Sequence, residues 1–169
     1  MTEKNTTQQL YPQELEQASN SYLMAIVAVI AGLPLPVINV IASVGYYLGH
    51  TKASYFVRWH CIQSILAQAI MIPFNSFAFG WTVALLTSDT PISFINLQGG
   101  YNGEPESFIY NPRDYILYLA IVLILNLAEF FTVIITAGEV REGKNVRWFL
   151  IANLTDKLTS KENRDPYRI

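Results

Sequence analysis

Three long apolar stretches, Tyr22 to Leu48, Trp59 to Leu86 and Tyr115 to Ala137, constrain this chain more than any other feature. Each is at least as long as the roughly 20 residues that cross a hydrocarbon core at about 1.5 Å per residue. In lipid, a spanning segment has to satisfy its own backbone N–H and C=O groups, so such stretches are expected to be helices. The expectation is an all-α integral membrane protein with three transmembrane helices. Composition agrees, since 51% of residues are hydrophobic and 14% charged, against about 25% charged in an ordinary soluble domain. The 169 residues are expected to make one unit without a separate catalytic domain.

The chain divides into a polar N-terminal tail (1–21), a three-span helical membrane domain (22–158) with an outer loop (87–113), and a polar tail (159–169) expected to be disordered. The opening residues lack the basic patch of a secretory signal and are expected to be retained. Tyr22 to Leu48 carries no formal charge and has Pro34 and Pro36 in its middle. Either one kinked, tilted span or two half-helices folded back on themselves would fit; the single span is the expectation here. Pro73 with Asn75 marks a kink in the second span. The third opens on Asn111-Pro112-Arg113-Asp114, which places a capping side chain, a first-turn proline and an acid at a helix start. Between these two spans, the turn pairs Gly99-Gly100 and Asn102-Gly103 have β-like flanks and suggest a small surface hairpin. After the third span, Val146, Phe149, Leu150, Leu154 and Leu158 oppose Arg147, Asn153 and Lys157, the pattern of an amphipathic helix lying in the interface.

Basic residues near span ends are retained in the cytoplasm. Lys52 and Arg58 lie in the first loop, and Arg141, Lys144, Arg147, Lys157, Lys161, Arg164 and Arg168 in the tail. With three spans, the tail and first loop are expected inside, the N-terminus and the 87–113 loop outside. Tyr46, Tyr47, Tyr55, Trp59 and Trp148 would mark the inner boundary, and Tyr22, Trp81, Tyr110 and Tyr115 the outer one.

Glu129 is a carboxyl group inside a hydrocarbon-length segment, where charge is expensive, so it should face the bundle interior. Asn126, Glu129, Thr132 and Thr136 recur at helical spacing. Counted from the inner span ends, Glu129, Gln68 and Asn39 all lie roughly 12 to 14 Å deep. They are expected to form one buried polar layer together with Asn126, with His60, Gln63 and Ser64 below it. Hydrogen-bonded glue between helices is the expected role, and a proton or substrate relay the alternative. His60 reads as an interfacial hydrogen-bonding residue, Cys61 as packing, and His50 as a loop residue. No phosphate-binding loop, paired catalytic acids, metalloprotease helix or cysteine pair occurs, so neither an enzyme nor a metal or other cofactor is expected. The net charge of −2 gives no sign of a nucleic-acid surface.

Two short segments carry a family resemblance. Phe56-Val57-Arg58-Trp59-His60, followed by Gln63, opens the second span, and Gly143-Lys144 with Arg147 follows the third. In order and separation they resemble the motifs of the Tic-twenty family, which comprises import subunits of the chloroplast inner envelope and small bacterial relatives. The resemblance implies a helical membrane protein working in a complex, with no established catalytic residues. It implies a non-enzymatic subunit or accessory factor of a multi-protein assembly in a bacterial inner (cytoplasmic) membrane, with protein translocation or membrane-protein biogenesis as the expected process. Its partners would be the lipid bilayer and other membrane subunits, which could dock on the 87–113 loop. At the inner interface, Arg58 would pair with lipid phosphate, Trp59 would anchor, and Gln63 would bond a neighbouring helix. The alternative function is a small oligomeric transporter or channel using the polar layer around Glu129.

Overall fold

A computed structural model describes residues 10–30, 37–87 and 112–161, apart from the side chains at 25, 27–30, 112, 160 and 161. Among the described residues the chain is all-helical, with five helices and no strand: α1 (Pro12–Ile30), α2 (Ile38–Gly49), α3 (Tyr55–Thr87), α4 (Pro112–Arg141) and α5 (Ala152–Lys161). The proposed surface hairpin and most of the 87–113 loop lie outside the described residues.

The helix α1 begins within the segment read as a polar tail. Pro12 occupies the first helical position, and Glu14 turns back to accept the backbone N–H of Tyr11 at 2.8 Å. This is half of a capping box, and it starts the helix ten residues before the apolar stretch. The helix α2 then returns alongside α1, because Tyr46 Oη donates to Gln17 O at 3.0 Å. The stretch from Tyr22 to Leu48 is therefore two helices folded back on each other, and the single kinked span is not what forms. Around Pro34 and Pro36 backbone donors are missing, so a long straight helix had no special stability there. At 12 residues, α2 is too short to cross a hydrocarbon core.

The fold-back also alters which end of the bundle holds the start of α1. A Cβ on Gly143 would sit 3.9 Å from Leu15 Cδ1, so the start of α1 lies beside the end of α4. The expected separation of the N-terminal segment and the tail to opposite ends is not observed. Tyr22 moves with it, out of the outer aromatic boundary and into the core.

The two remaining long helices, α3 with 33 residues and α4 with 30, are each long and apolar enough to cross a membrane. They run antiparallel, since Gln68 meets Glu129, Asn75 meets Asn126 and Thr82 meets Tyr115. The helix α3 continues unbroken through Pro73, and α4 begins on Pro112 with Asp114 in its first turn. Burial is uneven along the pair. Every residue from Val57 to Ser64 is buried, which requires neighbours on all sides of the helix. The helices α1, α2, α4 and α5 all pack against α3. Ala18, Tyr22, Val57, Cys61, Val133 and Val140 form the centre of this core. Beyond Met71 the pair is mostly exposed, with Phe74, Phe77, Val83, Ile116, Leu123 and Ile124 facing outward.

The helix α4 ends on a Schellman turn. Lys144 N–H bonds Glu139 O and Gly143 N–H bonds Val140 O, with Gly143 at φ +87°, a conformation glycine adopts without side-chain strain. The amphipathic helix expected from Val146 begins later, at Ala152, because the backbone at Val146 and Trp148 is bonded to α3 instead. Within α5, Ala152, Thr155 and Thr159 are buried against the protein. Both threonine hydroxyls bond back to carbonyls one turn earlier, which satisfies them and leaves their methyl groups for packing. Phe149, 93% exposed, and Leu150, 82% exposed, face away with Leu154 and Leu158.

Candidate functional site

The two motif segments, far apart in sequence, meet at the broad end of the bundle. Gln63 joins them. It is fully buried in the third turn of α3, its Nε2 donates to Tyr22 Oη at 2.7 Å and to Val146 O at 3.0 Å, and its Oε1 accepts the Trp148 N–H at 3.2 Å. Both amide hydrogens and the carbonyl are thus used. The side chain substitutes for a neighbouring strand, pairing the extended backbone after α4 and holding it against α3.

Because Tyr22 Oη accepts from Gln63, its own proton is directed at His60 Nδ1, 2.9 Å away. A neutral imidazole so placed carries its proton on Nε2. Among the described residues this buried Nε2 has no hydrogen-bond partner, and the ring is enclosed edge-on by Phe56 and Trp59, with centroids 4.5 and 5.0 Å away. Trp148 stacks on Tyr22 at 6.4 Å and donates its indole N–H to Thr136 at 3.0 Å. Serines fasten α1 on both sides: Ser19 donates to Ala137 O at 2.8 Å, and Ser64 to Ser21 O at 2.9 Å.

At the rim, Asp156 of α5 bridges the two motifs. One oxygen accepts the Trp59 indole N–H at 2.8 Å and the other pairs with Arg147, whose guanidinium lies 5.3 Å over the Trp59 ring. Arg147 foremost, then Trp59, holds the Asp156 carboxyl below its ordinary value of 3.8. Lys144 pairs outward with Glu142 at 3.0 Å and Glu139 at 3.7 Å. A folded-state pKa below the unfolded one means that the Asp156 latch is fully present above that ordinary value and is lost as pH falls through the lowered one. Asp156→Asn should loosen α5 at neutral pH as acid does in the parent, by about 1 kcal/mol or less because the pair is exposed. Faster proteolysis between Arg147 and Ala152 and a shifted Trp59 emission would record it; a cleavage rate independent of pH and of this substitution would disprove the latch.

A second polar group lies between α3 and α4. Gln68 Nε2 donates to Glu129 Oε1, so these two residues of the expected layer do meet. Asn126 lies one turn away and exchanges hydrogen bonds with Asn75 at 2.8 and 3.2 Å. Asn39 is not in this layer: it is half-buried on α2, and α2 packs on α1 and α3 but not on α4. The fold-back places α1 between them. Arg58, expected to reach a lipid phosphate, is 5% exposed because the neighbouring helices enclose the first turns of α3. Val57 and Cys61 are core residues.

Tyr22, Trp148 and Asp156 complete the site; from sequence Tyr22 and Trp148 read only as boundary aromatics, and none of the three was assigned a bonding role. The available signal was Ser19, Ser21 and Tyr22 clustered within one turn at the edge of an apolar stretch, a polar stripe requiring partners. Among the described residues no group of three or more potential metal-ligating side chains assembles. The arrangement as it stands does mechanical work: it fixes helix ends and the returning chain in one register.

No protein-family model, curated protein or solved structure matches the chain.

Proposed function

We propose that this chain is a small membrane-embedded subunit or accessory factor of a larger inner-membrane assembly, without catalytic activity of its own, acting in a process such as protein translocation or membrane-protein biogenesis. The observation that carries this reading is an inverted polarity. Large apolar side chains on α3 and α4, Phe74, Phe77, Val83, Leu123, Ile124 and Phe131 among them, face outward, while Gln63, Gln68, Asn75, Asn126 and Glu129 bond one another or the backbone inside. Water penalises that distribution and lipid favours it. The fold suggests two spans, α3 and α4, and a re-entrant hairpin of α1 and α2. Lys52, Arg141, Lys144, Arg147 and Lys157 gather at the broad end, which we assign to the cytoplasm by the retention of basic residues. The start of α1 is then cytoplasmic too. Partner membrane proteins would use the outward faces or the 87–113 segment. Extraction and pull-down in mild detergent tests the assembly. Repeated recovery with one multi-subunit complex supports it, and recovery only as a homo-oligomer counts against it.

A specific observation keeps a second reading, a small oligomeric transporter, in view: the Gln68–Glu129 pair stands in line with Asn75–Asn126 between two long apolar helices. Under the accessory-subunit reading Glu129→Gln replaces the carboxyl by an amide whose oxygen still accepts from Gln68 and leaves assembly intact, whereas Glu129→Leu weakens the α3–α4 pairing by the roughly 0.6–2 kcal/mol of one interhelical hydrogen bond. Flux measurements in vesicles decide between them: a pH-dependent proton or solute flux abolished by Glu129→Gln, with assembly unchanged, would favour transport.

A further inference from the structure

We propose that the broad end of the bundle carries a binding site for the phosphate headgroup of an anionic phospholipid. The site is a cavity of about 260 Å³ between the start of α1, the first turn of α3 and the segment after α4. Tyr55, Asn145 and Arg147 bring hydrogen-bond donors to its lining, and Phe56, Trp59 and Gly143 form apolar or backbone walls, closed by Leu10. No lining residue is a carboxylate. Asp156 takes one nitrogen of the Arg147 guanidinium from outside the lining, while Glu139 and Glu142 are held by Lys144. A guanidinium has five N–H donors in a planar fork suited to phosphate oxygens. Its plane is already steadied by stacking on Trp59, so little freedom is lost on binding.

Size and surroundings favour a lipid over a larger soluble ligand. The volume falls below the roughly 300–1,000 Å³ of drug-sized pockets, enough for a headgroup but not for a nucleotide with its base. Two residues beyond Arg147, Phe149 and Leu150 present bare apolar side chains, and Leu154 and Leu158 follow on the same outward side of α5. A phospholipid whose phosphate sat on Arg147 would have somewhere to lay its acyl chains. This assignment rests on the membrane reading above.

The test uses the full chain in phosphatidylcholine nanodiscs, doped with phosphatidylglycerol and read by native mass spectrometry and Trp59 emission. Phosphatidylglycerol should be retained over phosphatidylcholine by about tenfold: both bring a phosphate to Arg147, but the choline ammonium cancels the net negative charge that the guanidinium attracts. Asn145→Asp, which adds a carboxylate to the lining without touching the Asp156 latch, should abolish that preference; Arg147→Gln should do so as well. Absence of any preference in a chain that is folded and remains in the discs overturns the site and leaves the membrane reading standing. Displacement of phosphatidylglycerol by glycerol 3-phosphate alone overturns the lipid source and assigns the cavity to a soluble phosphate ester. A chain that stays folded and monodisperse in detergent-free buffer overturns the membrane reading and the lipid site with it.

Discussion

Gln63→Leu should destabilise the protein by roughly 3–5 kcal/mol, the largest loss expected from a substitution that preserves side-chain volume. The change removes three hydrogen bonds at once, leaving Val146 O and the Trp148 N–H without their partner and Tyr22 Oη with His60 alone. A buried polar group so abandoned costs about 1–3 kcal/mol, and partial access of water to the Val146–Trp148 backbone keeps the sum toward the lower half of that total. Thermal unfolding in detergent, followed by circular dichroism, measures it, and rapid proteolysis after Gly143 should accompany it. A change below about 1 kcal/mol would mean that Gln63 does not hold the returning chain.

Tyr22→Ala is expected to cost about 3–5 kcal/mol by the ordinary scale for deleting a buried aromatic ring. Tyr22 is fully buried in the core cluster between His60 and Trp148, where backbone on three helices limits collapse of the cavity. Tyr22→Phe separates the two contributions: it keeps the ring and removes only the hydroxyl that links Gln63 to His60, so it should cost about 1–2 kcal/mol. Because the hydroxyl and the Gln63 amide serve one network, Tyr22→Phe combined with Gln63→Leu should lose clearly less than the sum of the two single losses. Additivity in that cycle would argue against the Gln63–Tyr22–His60 chain.

The long helices were legible because their signals are local. Length and hydropathy mark α3 and α4, and the proline and acid at Pro112 and Asp114 place the start of α4 within a few residues of the structure. The meeting of Gln68 with Glu129 was also legible, since two polar residues at one depth on antiparallel spans have few other partners. Asn39 fails the same argument because depth says nothing of which helices are neighbours. The grammar at Asn111-Pro112-Arg113-Asp114 recurs at Tyr11-Pro12-Gln13-Glu14, yet there a polar sequence follows, and hydropathy hides a helix stabilised by capping and packing.

The fold-back of α1 and α2 was less legible. Two prolines in an apolar stretch are compatible with a kink or with a reversal, and only contacts such as Tyr46 with Gln17 separate the two. The face of α5 turned to the protein was obscured for another reason. Thr155 and Thr159 count as polar in any pattern, but their hydroxyls are satisfied within the helix and their methyls pack. Burial of Arg58 has a similar origin: a basic residue at a span end reads as exposed until other helices pack against α3.

The reach of the Gln63 and Trp59 contacts has a consequence for biogenesis. Gln63 is bonded to groups 83 and 85 residues further along, and Trp59 to one 97 residues further. On a ribosome that releases the polypeptide from its N-terminus, α3 is complete long before those partners exist. Until then the Gln63 amide and the Trp59 indole remain without them in the nascent chain, and the loop that must close over them is long. The interior therefore seals only after Val146, Trp148 and Asp156 have been made, and any truncation upstream of Val146 leaves it open.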